Sequence, residues 1–120
     1  MDRSFAPDVF RQRLLIEGYY DIEITREKVD EYLRGIANHL NLRIYENPII
    51  YCATGKGKVE NQGFDAFVPL IDSGISTYIW STQKFFSIVL YTCKGFDESA
   101  AKKFTIEFFN ANEEVETHSF

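Results

Sequence analysis

Leu70-Ile71-Asp72-Ser73-Gly74-Ile75-Ser76-Thr77-Tyr78-Ile79-Trp80 sets the frame for the whole chain. An apolar run from Phe64 to Ile71 enters an acidic-Ser-Gly corner, and Ile75 to Trp80 leaves it with alternating character. Asp, Ser and Gly are ordinary turn residues, so the stretch predicts two strands joined by a corner. Phe85 to Thr92 is a third, strongly β-forming segment.

Working outward, Leu14 to Ile24 is rich in aliphatic and aromatic residues and suits a first strand. Thr25 can cap a helix in which Val29, Tyr32, Leu33, Ile36 and Leu40 recur at spacings of three and four. Short extended pieces follow at Leu42 to Tyr45 and Ile49 to Ala53. The loop Thr54-Gly55-Lys56-Gly57-Lys58 lacks the Walker spacing of a phosphate loop and reads as a plain turn. Past Gly95-Phe96, Asp97 caps a second helix whose apolar face is Ala101, Phe104 and Phe108, and residues 113–117 alternate weakly as a last edge strand. The expected order is β-α-β-β-β-β-α-β. It implies an α+β fold with two helices packed on one face of an antiparallel sheet.

The 120 residues fit one domain, 1–120, with an irregular arm over 1–11. With 45% hydrophobic and 16% aromatic residues the chain has the means to build a core. A net charge of −5 without a basic stripe speaks against nucleic acid as a partner. Cys52 and Cys93 are too few for a disulfide framework. The N-terminus has no apolar signal-peptide core and no apolar run reaches the length of a membrane span, so a cytoplasmic protein without membrane contact is expected. No metal-ligand spacing surrounds His39 or His118, and no metal is expected.

The corner, together with Cys93 twenty residues past Ser73, resembles the S-adenosylmethionine decarboxylase family of the short bacterial and archaeal type. In that family a serine cleaves its own chain and becomes a pyruvoyl cofactor. Asp72-Ser73 stands where the family has Glu-Ser, while Ile75, Ser76 and Trp80 fit its following strand. Cys93 sits in a matching Thr-Cys context, Asp97 follows at the expected distance, and Gly63 is retained. The resemblance runs in outline over residues 14–118.

The resemblance implies roles for particular residues. Ser73 is the cofactor precursor, and its hydroxyl attacks the Asp72 carbonyl to turn the amide into an ester. Cys93 is the proton donor, sensible for a thiol with an ordinary pKa of about 8.5. Asp65, Trp80 and Ser76 fall in the substrate-binding region. The pyruvoyl group would serve as the electron sink for decarboxylation of S-adenosylmethionine or a related amino acid in polyamine metabolism. A small amine or amino acid is the implied ligand, and a homodimer with sites at the sheet edges or interface is the implied assembly.

The departures are as specific as the matches. Tyr78 replaces the histidine that assists processing, and an ordinary phenol, with a pKa of about 10, is a poor base at neutral pH. Gly74 replaces a second histidine and Asp65 a serine. Ser81-Thr82 replaces a Pro-Glu pair, and Val59 stands where an aromatic residue holds the adenine. Self-processing at Asp72-Ser73 is therefore expected to be impaired. The competing expectation is a non-catalytic homologue that kept the fold and binds a small molecule or regulates a partner.

Overall fold

Every strand pairs antiparallel with its neighbours, and the hairpin at Ser73 lies in the middle of the sheet. The computed structural model describes residues 5–52, 57–111 and 114–120. Its elements are β1 (Gln12–Tyr19), α1 (Arg26–His39), β2 (Ile49–Cys52), a short 3-10 turn (Val59–Asn61), β3 (Gly63–Leu70), β4 (Ser73–Trp80), β5 (Phe85–Thr92), α2 (Glu98–Phe109) and β6 (Glu116–Ser119). The sheet order is β2-β3-β4-β5-β1-β6. This is the expected α+β architecture, with both helices on one face.

Alternation along the strands divides the sheet into two faces. Leu14 and Ile16 of β1, Val68 and Leu70 of β3, Ile75 and Ile79 of β4, and Phe86, Ile88 and Leu90 of β5 are buried beneath the helices. Val29, Tyr32, Leu33, Ile36 and Ala37 of α1 pack onto them. Phe109 of α2 stacks on Phe86 with ring centroids 4.5 Å apart and meets Tyr32 at 4.8 Å. Aromatic packing thus fixes both helices to the centre of the sheet.

Both expected caps form. Thr25 Oγ1 accepts the Lys28 N–H at 3.1 Å, and an Asp97 carboxylate oxygen accepts the Ala100 N–H at 3.1 Å. Each satisfies an orphan donor of a first helical turn.

Four local expectations need correction. The first strand starts at Gln12 and ends at Tyr19. Beyond it the Tyr20 N–H bonds Lys84 and the Asp21 N–H bonds the Phe109 carbonyl, so the chain turns toward the helices. Ile22 and Ile24 pack against the core from this irregular segment. Leu42 to Tyr45 is reduced to a single bridge, Ile44 to Leu70. The buried face of α2 is Ala101, Thr105 and Phe109, with Phe104 and Phe108 only partly covered. Thr105 can be buried because it donates to the Ala101 carbonyl and accepts from the Tyr32 hydroxyl, both at 2.8 Å. The last strand lies at Glu116–Ser119, starting three residues and ending two residues later than the alternation suggests.

Phe5 to Arg11 contains no helix or strand, while residues 1–4 and most of the Thr54–Lys58 loop lie outside the described residues. No helix is long and apolar enough to cross a membrane.

Candidate functional site

Register explains why a cysteine twenty residues past Ser73 reaches the corner. β4 and β5 pair from Trp80 with Phe85 through Ser73 with Thr92, so the next rung aligns Asp72 with Cys93. The Cys93 N–H closes that rung by donating to the Asp72 carbonyl at 2.9 Å. Thr92 Oγ1 bonds the Lys94 carbonyl, which turns the chain away directly after the cysteine.

The hairpin from Leu70 to Ser73 leaves only Ile71 and Asp72 in the turn. Tight hairpins of this size usually place a loop residue at positive φ so that the strands keep their twist. Neither Ile71 nor Asp72 does so; instead Ser73 takes φ +126°. A residue with a Cβ is strained there, at a cost of about 1–3 kcal/mol. The strain falls on the residue whose amide would break.

Side chains complete the arrangement. Ser73 Oγ donates to Cys93 Sγ at 3.9 Å, and Cys93 Sγ donates to the Asp72 carbonyl oxygen at 3.4 Å. That carbonyl therefore has two donors, one main-chain and one thiol, placed where an oxyanion would develop if Ser73 attacked it. The thiol can also take the serine's proton while passing its own to the carbonyl oxygen. Among the described residues Ser73 Oγ has no other hydrogen-bond partner, so neither an imidazole nor a carboxylate is hydrogen-bonded to it. Lys94, the nearby cation, is engaged with the Asn41 carbonyl at 2.8 Å.

The other expected site residues stand elsewhere. Tyr78 is five residues along β4 from Ser73, roughly 17 Å at the rise of a strand. Asp65, Ser76, Tyr78 and Trp80 all occupy the face away from the helices, whereas Ser73 pairs with buried Leu70 and Thr92 in a helix-facing row. Trp80 packs at a tilt on Phe85 with ring centroids 5.4 Å apart, and Phe85 in turn meets Tyr19 edge-to-face at 5.2 Å. Sequence parity alone could have separated Ser73 from Tyr78, because an odd offset along a strand changes face.

The two substitutions Asp65 and Tyr78 are cross-strand partners. Tyr51 of β2 extends the same row on the far side of Asp65. With Ile49, Phe67 and Ser76 these residues line a groove of about 260 Å³ on the open face. Gly74 is explained by the Phe67 ring, which comes within 2.4 Å of where a Cβ would stand. A histidine at 74 would displace that ring. A larger cleft of about 510 Å³ lies around Tyr20, Glu23, Ser81 and Lys84, at the end of the sheet opposite Ser73. No group of three or more His, Cys, Asp or Glu residues suited to a metal occurs among the described residues.

No protein-family model matches the chain, and no curated protein matches it in sequence. Among solved structures it is similar to the crystal structure of the adenosylmethionine decarboxylase from Aquifex aeolicus VF5, at 22% identity and a TM-score of 0.73. The likeness covers 93% of this chain and 89% of that one. At this identity the agreement speaks for architecture: the chain has an adenosylmethionine decarboxylase-like fold.

Proposed function

We propose that this chain is a divergent S-adenosylmethionine decarboxylase-like protein, linked to polyamine metabolism, in which self-processing at Asp72-Ser73 stalls before completion. The observation that carries the reading is the doubly donated Asp72 carbonyl beside a strained Ser73. Those features suit the first half of processing. The Ser73 Oγ–C bond forms, the Asp72–Ser73 C–N bond breaks, and the serine nitrogen takes up the proton. The second half needs a base to remove the Ser73 α-proton, and among the described residues no imidazole or carboxylate is hydrogen-bonded to the Ser73 hydroxyl. The residues present thus fit ester formation and do not fit conversion of Ser73 to a pyruvoyl group, so no decarboxylation step is derived through it. The homodimer implied by the resemblance belongs to the same proposal, and sedimentation velocity of the purified chain tests it.

Intact mass and denaturing electrophoresis, with and without neutral hydroxylamine, test the stalled corner. A full-length chain is expected that hydroxylamine splits partly into 1–72 and 73–120, and Ser73→Ala should abolish the split. Spontaneous fragments with a pyruvoyl-blocked 73–120 would show a competent enzyme instead. Complete resistance to hydroxylamine would show that no ester forms.

A second reading, a non-catalytic small-molecule binder, is favoured by the groove that Asp65 and Tyr78 create away from the corner. A thermal-shift panel of amines and amino acids separates it from a purely structural role, which predicts no response.

A further inference from the structure

The C-terminal end of α1 opens onto a cleft whose charge is opposite to that of the chain as a whole. About 460 Å³ in volume, it lies between the last turn of α1, the segment that follows it and the residue after Cys93. Arg34, Asn38, Asn41, Arg43 and Lys94 supply its polar lining, and no Asp or Glu lines it. On a chain of net charge −5, three cations gathered without a lining carboxylate set this surface apart. Hydrogen bonds fix the pieces of chain that form it. The Leu42 N–H donates to the Ala37 carbonyl at 2.8 Å, the Ile71 N–H to the Arg43 carbonyl at 2.9 Å, and Lys94 Nζ to the Asn41 carbonyl at 2.8 Å.

A helix C-terminus ordinarily disfavours anions, because its last carbonyls lack donors. Here those of Ile36, Ala37 and Asn38 accept the N–H groups of Leu40, Leu42 and Asn41, and Lys94 covers the carbonyl of Asn41. The negative end of the helix is thus largely quenched. Arg34 is also committed, with Nε on Asp30 and Nη2 on Asn47, both at 2.9 Å. What remains unspent is the Arg43 guanidinium and the side-chain amides of Asn38 and Asn41, which make no hydrogen bond or ion pair among the described residues. Lys94 keeps two of its three ammonium N–H groups.

A guanidinium fork, an ammonium and two amide donors match phosphoryl oxygens, which accept several hydrogen bonds around one centre of charge. Arg43 and Lys94 enter from separate segments, so a ligand that engages both carries two linked anionic groups, and the cleft has the volume of a small-molecule site. We propose that this cleft binds a diphosphate group, free or carried by a nucleotide. The inference does not rest on processing at Ser73.

Pyrophosphate, orthophosphate and ADP are each titrated, without divalent cations and at low ionic strength, into the 15N-labelled full chain. Saturable shifts are expected for pyrophosphate at the side-chain amides of Asn38 and Asn41 and the backbone amides of Arg43 and Lys94. Orthophosphate should bind at least about fivefold more weakly, and added salt should weaken both. ADP binding tighter than pyrophosphate assigns the group to a nucleotide, and ADP binding no tighter assigns it to the free anion. Arg43→Gln should weaken pyrophosphate by about five- to tenfold, whereas Lys103→Gln, which removes the same charge from α2, should leave it unchanged. The Arg43 side chain is exposed and its carbonyl keeps the bond to Ile71 in any variant, so the fold is preserved. Shifts centred elsewhere overturn the proposal, as do equal losses in the two variants or orthophosphate binding as tightly as pyrophosphate. These titrations read binding rather than chain cleavage, so the cleft and the processing corner fail separately.

Discussion

Replacing Ser73 by glycine should leave the protein more stable than replacing it by alanine, although glycine normally weakens a strand. Ser73→Gly and Ser73→Ala both lack the hydroxyl, so no processing complicates a comparison of the two. Alanine inherits the strain of φ +126°, about 1–3 kcal/mol, whereas glycine adopts that backbone freely. Against this, glycine loses more backbone entropy on folding, about 0.5–1 kcal/mol relative to alanine. Residue 73 is half-buried, so its methyl group adds little packing. The balance favours glycine by about 1 kcal/mol. For a chain of 120 residues the unfolding entropy is near 0.25 kcal/mol/K, which puts Ser73→Gly about 4 °C above Ser73→Ala in Tm. Urea denaturation at neutral pH provides the second readout, with equal slopes for the two variants and a higher midpoint for glycine. An alanine variant as stable as the glycine one would refute the strain, and with it the idea that the corner is primed at the bond it would break.

Two further outcomes follow from buried hydroxyls. Thr77 Oγ1 is fully buried with no hydrogen-bond partner among the described residues, so the near-isosteric Thr77→Val should raise stability by about 1 kcal/mol; a midpoint at or below wild type in chemical denaturation would contradict this. Burial raises the Tyr32 phenol well above its ordinary 10.0. The neutral phenol is thus the folded form, and its contribution is complete below about pH 10 and is lost as pH climbs through the raised value. Tyr32→Phe should cost about 1 kcal/mol at pH 8 for the lost bond to Thr105, yet flatten the fall in stability above pH 10; equally steep alkaline loss in both proteins would remove Tyr32 as its source.

Periodicity made most of the fold legible, because it reflects burial directly. The apolar stripe of α1 and the alternation of β3, β4 and β5 survive intact, since each strand has one face under the helices. Legibility failed where an apolar residue is buried without belonging to a regular element. Ile22 and Ile24 look like strand residues, yet they reach the core from a segment whose amides bond to the β4–β5 turn and to the end of α2. Tyr32 did the same to α2, turning the helix so that Thr105 lies inside and Phe104 lies partly outside.

The candidate site divides along a similar line. Spacing carried the Ser73–Cys93 relation, because a hairpin converts a fixed number of residues into a fixed rung. Spacing could not carry the backbone angle at Ser73, which arises from what Ile71 and Asp72 fail to adopt. Nor could it show that Asp65 and Tyr78, read one by one as losses at the corner, stand side by side on the opposite face. There the two substitutions acquire a joint meaning. A carboxylate next to a phenol offers no base to Ser73 roughly 17 Å away. With Tyr51, Ile49, Phe67 and Ser76 they line one groove on the open face, and the antiparallel register of β3 and β4 makes them neighbours in space.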